Sequence, residues 1–228
     1  KEAGFMVGVH FPDINLDRVK GVLIDLDDTL YRYAPCHAYA LKCCYEEFEW
    51  DMPLETFIET YRTYRNDVIA RLSPQGACRS RLFAFQHFLE ERKVSQAYLK
   101  AKHLDELYWS KFLHKMVIDP QAQAFLEECV KNAIPLCIVS DMIACVQIDK
   151  IKKLDIADCI DYLVTSEEAG IEKPGYKIFE LALTKLALSP SQTIMVGDSY
   201  EKDIVGAMRA GIAAYQVSLH TDMISKQE

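Results

Sequence analysis

Val22-Leu23-Ile24-Asp25-Leu26-Asp27-Asp28-Thr29-Leu30-Tyr31 decides how the rest of this chain is read. The apolar run Val22 to Ile24 has the character of a buried central strand, here expected over Lys20 to Leu26. It breaks off into carboxylates at Asp25, Asp27 and Asp28. A strand interior does not tolerate that, so Asp25 is expected at the strand's C-terminal end, where open α/β sheets place their ligands. Asp25 and Asp27 flank one side chain, and both face a shared pocket if the chain leaves strand geometry after Asp25. Acids this close repel one another unless a cation neutralises them. All-oxygen ligands suit a hard divalent ion, Mg2+ first among them. The plainer alternative is a strand running into an acidic surface turn.

The remainder of the chain bears on that choice. Its 228 residues hold one large domain, or a core with a modest second one. Hydrophobic residues make up 50%, the formal charge is −8 and the pI is about 5.3. That balance argues against nucleic acid or an anionic membrane as the main partner. No apolar run approaches the ~20 residues of a membrane span. Lys1 to His10 lacks the basic-then-apolar order of a secretory signal, so a cytoplasmic location is expected. The 8 cysteines include no Cys-x-x-Cys pair, and several fall in apolar periodic stretches, as Cys137 does. Reduced core thiols are the expectation.

Residues 1–19 carry turn-like punctuation at Phe11-Pro12 and read as a lead-in packed on the core. From Cys36 to about His114 the pattern is almost wholly helical. Leu41, Cys44, Tyr45 and Phe48 make one face, and Phe57, Tyr61, Tyr64 and Val68 a second. Leu82, Phe85, Phe88 and Leu89 make a third, and Leu99, Leu104, Leu107, Phe112 and Leu113 a fourth. Past Asp119-Pro120 helices alternate with strands. The strands are expected at Pro135 to Ser140, Tyr162 to Thr165, Thr193 to Gly197 and Ala213 to Val217. The helices are expected at Gln121 to Lys131, Ile143 to Lys153, Tyr176 to Leu188 and Glu201 to Ala210, the last closed by Gly211. Alternation of this kind implies right-handed crossovers and a parallel sheet. The fold class is therefore α/β, a Rossmann-like parallel core over 1–31 and 117–228, with an all-helical domain inserted over 32–116.

A parallel sheet opens all its strands' C-terminal ends on one edge. Beyond those ends lie Asp25 and Asp27, Ser140 and Asp141, Lys173, and Gly197-Asp198-Ser199 with Asp203 after it. Singly each has a dull explanation: a helix cap for Ser140, solvent for Lys173, a helix first turn for Asp203. Their placement at successive strand ends is much less easily accidental.

The set Asp25-Leu26-Asp27-Asp28-Thr29-Leu30, Ser140, Lys173-Pro174, and Gly197-Asp198-Ser199 with Asp203 resembles the four-motif signature of the haloacid dehalogenase-like hydrolase superfamily. The resemblance covers the α/β core, about two-thirds of the chain. The helical insertion resembles that family's C1-type cap, and the Leu30-Tyr31 and Lys173-Pro174 contexts look closest to its small-molecule phosphatases. One departure is Asp141, which adds negative charge where the family often has Asn.

The resemblance implies a magnesium-dependent phosphatase acting on a small phosphorylated metabolite, a sugar phosphate or nucleotide, through an aspartyl-phosphate. In it Asp25 is the nucleophile and Asp27 the general acid and base, protonated by the crowded anionic site. Asp25, Asp198 and the Asp27 carbonyl hold the metal, and Ser140 and Lys173 grip the phosphoryl oxygens. Asp203 orients Lys173 or a metal-bound water, and Thr29 fixes the turn. A phosphomutase of the same family is the alternative, and a non-catalytic binding protein a more distant one. Carbon–halogen displacement is disfavoured, because it has no use for a proton donor at Asp27. The loop Ser73 to Arg81 interrupts the helical pattern and ends in Arg79 and Arg81. Arginine suits carboxylate or phosphate recognition, and both are candidates to contact the leaving group.

Overall fold

Residues 4–219 of the computed structural model are described. The termini of the expected core, residues 1–3 and 220–228, lie outside the described residues. The organising strand is β2 (Gly21–Ile24), with Val22, Leu23 and Ile24 all fully buried. It ends two residues before the sequence pattern alone suggests, because the acids begin at Asp25. The later strands are β3 (Leu136–Ser140), β4 (Tyr162–Thr165), β5 (Thr193–Gly197) and β6 (Ala213–Val217). With β1 (Phe5–Val9) they form a six-stranded sheet of order β1-β6-β5-β2-β3-β4, parallel throughout.

The chain winds from β2 through β3 to β4, then returns on the other side of β2 through β5 to β6. The order therefore reverses at β2, and a crevice forms beyond its C-terminal end. Strand residues alternate between two layers. Val22, Ile24, Leu136, Ile138, Ile194 and Val196 face one core, with Phe125 and Leu126 of α5 (Pro120–Lys131). Leu23, Cys137, Val139 and Met195 face the other, against Ile178, Phe179 and Ala182 of α8 (Tyr176–Leu186).

Four helices lie between β2 and α5: α1 (Tyr33–Glu47), α2 (Leu54–Leu72), α3 (Arg81–Glu91) and α4 (Ala97–Lys115). α1 packs on α4, and α3 on both α2 and α4. The two crossings into this layer are tied together. Tyr31 bridges Ile118 in antiparallel fashion, and the Asp119 amide donates to the Leu30 carbonyl at 2.8 Å. Asp119 also caps α5, its Oδ1 accepting from the amides of Gln121 and Ala122. The loop between α2 and α3 rests on the core. A Cβ at Gly76 would fall 2.5 Å from Glu167 Cα in α7 (Ser166–Ala169), so only glycine permits that approach.

Three expectations need correction. The lead-in contains a strand: Phe5–Val9 pairs with β6 as an edge. Its side chains are mostly exposed, so no buried periodicity marks it, although Phe11 beyond it does pack on Phe125 at 5.3 Å. Leu99 is not a packing residue. The buried stripe of α4 is Ala97, Ala101, Leu104, Tyr108 and Phe112, and Leu99 lies off it, 54% exposed. The helix expected over Glu201 to Ala210 is a π-helical turn, Tyr200–Val205, followed by a short α9 (Gly206–Arg209). Gly211 ends it at φ +77°. The 8 cysteines are free thiols, Cys36, Cys44, Cys78, Cys129 and Cys137 among them buried.

Candidate active site

Asp25 continues the strand line for one more residue, its amide donating to the Val196 carbonyl at 2.9 Å. The chain then turns. Asp28 takes a left-handed φ of 62°, and the Leu30 amide closes on the Leu26 carbonyl at 3.0 Å. This turn buries Thr29, whose Oγ1 donates to Asp25 Oδ2 at 3.1 Å and accepts from the Asp198 amide at 3.1 Å. One hydroxyl thus locks the end of β2 to the end of β5.

Lys173 is 4% exposed rather than solvated. Its ammonium donates to Asp25 Oδ1 at 2.6 Å, Asp203 Oδ1 at 2.6 Å and the Val139 carbonyl at 2.9 Å. Those bonds match the three protons of an ammonium. Burial alone would disfavour the charge, but Asp203, Asp25 and Asp141 outweigh it and hold the Lys173 pKa above its usual range. Asp203 is itself buried, and its Oδ2 accepts from the Ser199 amide at 3.0 Å. Gly197 makes room for it, since a Cβ there would lie 2.4 Å from Asp203 Oδ2.

Asp27 points elsewhere. Its Oδ1 accepts from Lys150 Nζ at 2.6 Å and from the Tyr31 hydroxyl, and its Oδ2 lies 3.4 Å from Gln147 Nε2. Gln147 also donates to Ser140 Oγ at 2.5 Å. Burial pushes the Asp27 carboxyl up, but Lys150, Tyr31 and Gln147 bring its pKa below the ordinary value. This corrects the expectation that anionic crowding keeps Asp27 protonated.

Carboxylate oxygens of Asp25, Asp198 and Asp203 all lie within 4.8 Å of one another. Burial first, then neighbouring acids, push Asp25 well above the carboxylate range, although Lys173 opposes the shift. Asp198 is raised to about 6 by burial and by Asp203 and Asp28. Acids that resist ionisation together, offering only oxygen, fit a hard cation such as Mg2+. The side chains expected at the ion, Asp25 and Asp198, are both in this cluster, and for Asp27 only the backbone carbonyl is expected there. Asp203 joins them, and the Asp27 carboxylate, committed to Lys150, does not. Because Asp203 already accepts from Lys173 and Ser199, Asp25 and Asp198 are the better donors to an ion.

A cleft of about 260 Å³ joins these acids to the helical layer, lined also by Ser140, Asp141, Arg65, Arg79 and Arg81. Asp141 is spoken for on both oxygens: Oδ1 accepts from the Lys173 amide at 2.8 Å and Oδ2 from Lys202 Nζ at 2.7 Å. Its extra charge relative to asparagine is met by Lys202. Arg79 reaches the cleft but forms a forked pair with Glu172, at 2.5 and 2.8 Å. Arg81 stands at the first position of α3, 2% exposed, its Nη2 donating to the Tyr33 hydroxyl.

Lys150, Gln147, Arg65, Glu172 and Lys202 were not singled out by sequence, and Tyr31 was noted only for its place after Leu30, not as a partner of Asp27. A signal for two of them existed. Ile143, Gln147, Lys150, Ile151 and Leu154 share one helical stripe, in and around α6 (Ala144–Lys153), so Gln147 and Lys150 fall on its inward face. Polar residues on a buried stripe ask for partners.

The family model described as haloacid dehalogenase-like hydrolase matches residues 19–211. A ribulose-1,5-bisphosphate 5-phosphatase of Halopiger xanaduensis is 34% identical over 194 residues, covering 84% of this chain and 81% of that protein. A glyceraldehyde 3-phosphate phosphatase of Methanothermobacter thermautotrophicus is 29% identical, covering 88% and 86%. Among solved structures, a 2-haloacid dehalogenase from Pseudomonas syringae superposes with a TM-score of 0.73 at 24% identity, over 91% of this chain and 90% of that one. The hydrolase YfnB of Bacillus subtilis, solved bound to magnesium, gives 0.70 at 19% identity, over 91% and 92%. At those identities the structural likeness speaks for the fold alone.

Proposed function

The chain belongs to the haloacid dehalogenase-like hydrolase family, and we propose that it hydrolyses a small phosphomonoester by a magnesium-dependent route through an aspartyl-phosphate on Asp25. It is an enzyme, a phosphoric monoester hydrolase. One observation carries the reading: Lys173 is pinned between Asp25 and Asp203 in the same cluster that gathers the Asp198 carboxylate. The named phosphatase relatives act, by their names, on small phosphorylated metabolites, and that class is the substrate class for this chain.

Asp25 supplies the attacking oxygen, Oδ2 or Oδ1, to phosphorus, and the leaving oxygen departs on the opposite side. Thr29 and Lys173 hold the carboxylate in one orientation. Ser140 and Lys173 receive the phosphoryl oxygens. Asp25, Asp198 and the Asp27 carbonyl would hold Mg2+, which supplies charge neutralisation between the nucleophile and the phosphate. Asp27 is ionised in the free enzyme. A phosphate dianion arriving beside it opposes the influence of Lys150 and raises its proton affinity, so Asp27 gains its proton with the substrate. It then protonates the leaving oxygen and, ionised again, deprotonates the water that cleaves the aspartyl-phosphate. The α1–α4 layer, over 32–116, acts as a C1-type cap that excludes bulk water and reads the leaving group. The enzyme is read as cytoplasmic.

Turnover of p-nitrophenyl phosphate with magnesium and with EDTA tests this. Metal-dependent release of phosphate is expected. Absence of turnover under both conditions, across a panel of phosphorylated metabolites, overturns it.

A further inference from the structure

Above the cleft, α1, α2 and α3 enclose a cavity of about 420 Å³. Its lining includes Arg62, Arg65 and Arg81 and no acidic residue, in a chain whose formal charge is −8. Tyr33, Arg65 and Arg81 line both this cavity and the cleft that holds Asp25, so the two share a wall.

Arg81 is the anomaly. It is 2% exposed, yet no carboxylate lies within ion-pair distance of it among the described residues. Its Nη2 donates to Tyr33, while among the described residues Nε and Nη1 have no acceptor of ordinary hydrogen-bond geometry; Asp105 feels the guanidinium charge but is not paired with it. The Tyr61 hydroxyl, buried on the same cavity wall, is a close polar neighbour of Arg81, although among the described residues it makes no hydrogen bond of ordinary geometry. Tyr108 and Trp109 lie under the guanidinium at 5.3 and 5.9 Å, which stabilises a cation without neutralising it. His37 does not add an acceptor charge. Burial, with Arg81 and Arg62 nearby, holds its pKa down at about 3, so it stays neutral. Buried guanidinium groups are ordinarily paired, and leaving donors unmet is costly. Arg79, by contrast, is already satisfied by Glu172. Arg65 has no ion-pair partner among the described residues.

We propose that Arg65 and Arg81, with the Tyr33 hydroxyl, form a subsite for a second anionic group on the substrate, so that the preferred substrates carry a phosphate or carboxylate at the end remote from the scissile phosphate. The proposal rests on the phosphatase reading above. It narrows the substrate class from phosphomonoesters in general to those with a second anionic group, and of the two arginines singled out by sequence it keeps Arg81 and sets Arg65 in place of Arg79.

The test uses three substrates that differ only at the far end: pentanediol bisphosphate, carboxypentyl phosphate and hydroxypentyl phosphate. For the wild-type enzyme, kcat/KM for at least one of the two substrates with an anionic far end should exceed that for hydroxypentyl phosphate by about tenfold or more, the scale of one charge-assisted hydrogen bond. Which of the two exceeds it distinguishes phosphate from carboxylate. Arg65→Ala and Arg81→Lys should each collapse that ratio, mostly through KM. A purely structural Arg81 would lower stability and leave the ratio unmoved. A wild-type ratio near one, or a ratio that survives both substitutions, overturns the proposal. If no substrate is turned over, the phosphatase reading has failed separately. Calorimetry with pentanediol bisphosphate then decides the subsite, through tighter binding to wild-type protein than to Arg65→Ala or its absence.

Discussion

Lys150 and Asp27 form an ion pair at 2.6 Å, with Lys150 wholly buried and the Asp27 side chain 23% exposed. The ammonium sits among the rings of Tyr31, Tyr33, Trp109 and Phe112, at 5.3–5.8 Å from their centroids. Three of those rings belong to α1 and α4. The carboxylate proposed as general acid is thereby held by a core lysine that the helical layer encloses. The state of the layer and the proton affinity of Asp27 are linked through one side chain.

Lys150→Met should therefore change the pH profile as well as the rate. Lys150 favours ionised Asp27, so its removal raises the Asp27 pKa. A general acid that keeps its proton longer moves the alkaline limb of kcat to higher pH. Methionine fills the aromatic pocket with a side chain of similar length, which limits the loss of packing. A pH–rate profile whose alkaline limb stays in place would count against Asp27 as the acid.

Asp25→Asn should abolish turnover with little effect on the fold. The substitution removes one charge from a group of mutually repelling acids, and Lys173 keeps Asp203 as its partner. The melting temperature should stay within about 4 °C of wild type, the equivalent of roughly 1 kcal/mol. Residual activity above a few per cent, in a preparation free of wild-type enzyme, would exclude Asp25 as the nucleophile.

The residues that sequence made legible are those fixed by strand ends. Asp25, Ser140, Lys173 and Asp198 could be placed together because a parallel sheet brings the C-terminal ends of β2 to β5 to one edge. What sequence did not supply were partners set by tertiary packing. Lys150 looks like one more lysine beside Lys152 and Lys153, and its pairing with Asp27 exists only because α6 lies against β4 and α4. β1 was missed for a related reason. An edge strand exposed on most of its residues lacks the buried alternation that identifies the others.

Magnesium should stabilise the protein more at high pH than at low. Asp198 has a folded pKa of about 6 against an ordinary 3.8. The metal-free fold therefore binds a proton there that the unfolded chain does not. That contribution is complete below pH 3.8 and is lost as pH rises through about 6. A divalent cation replaces the proton as counter-charge once the acids ionise. The melting temperature in magnesium, less that in EDTA, should be clearly positive at pH 8 and small at pH 5. Equal shifts at both would argue that the acids of this cluster are not the ligands.

Gly197→Ala tests the positioning of Lys173 without replacing any charged group. The added methyl would lie 2.4 Å from Asp203 Oδ2 and 2.5 Å from its Cγ, closer than such atoms approach. Asp203 must shift, and its bonds to Lys173 and to the Ser199 amide shift with it. Lys173 then keeps only Asp25 and the Val139 carbonyl to define where its ammonium sits. A displaced phosphoryl grip costs turnover steeply, here an expected ~10²-fold in kcat, because small errors of alignment are heavily penalised. Asp203→Asn weakens the same link by removing its charge and should give a loss of similar size. If both act through Lys173, the double variant loses less in kcat than the product of the two single losses, although its melting temperature falls further. Losses in kcat that multiply fully would show that Gly197 and Asp203 serve the reaction separately.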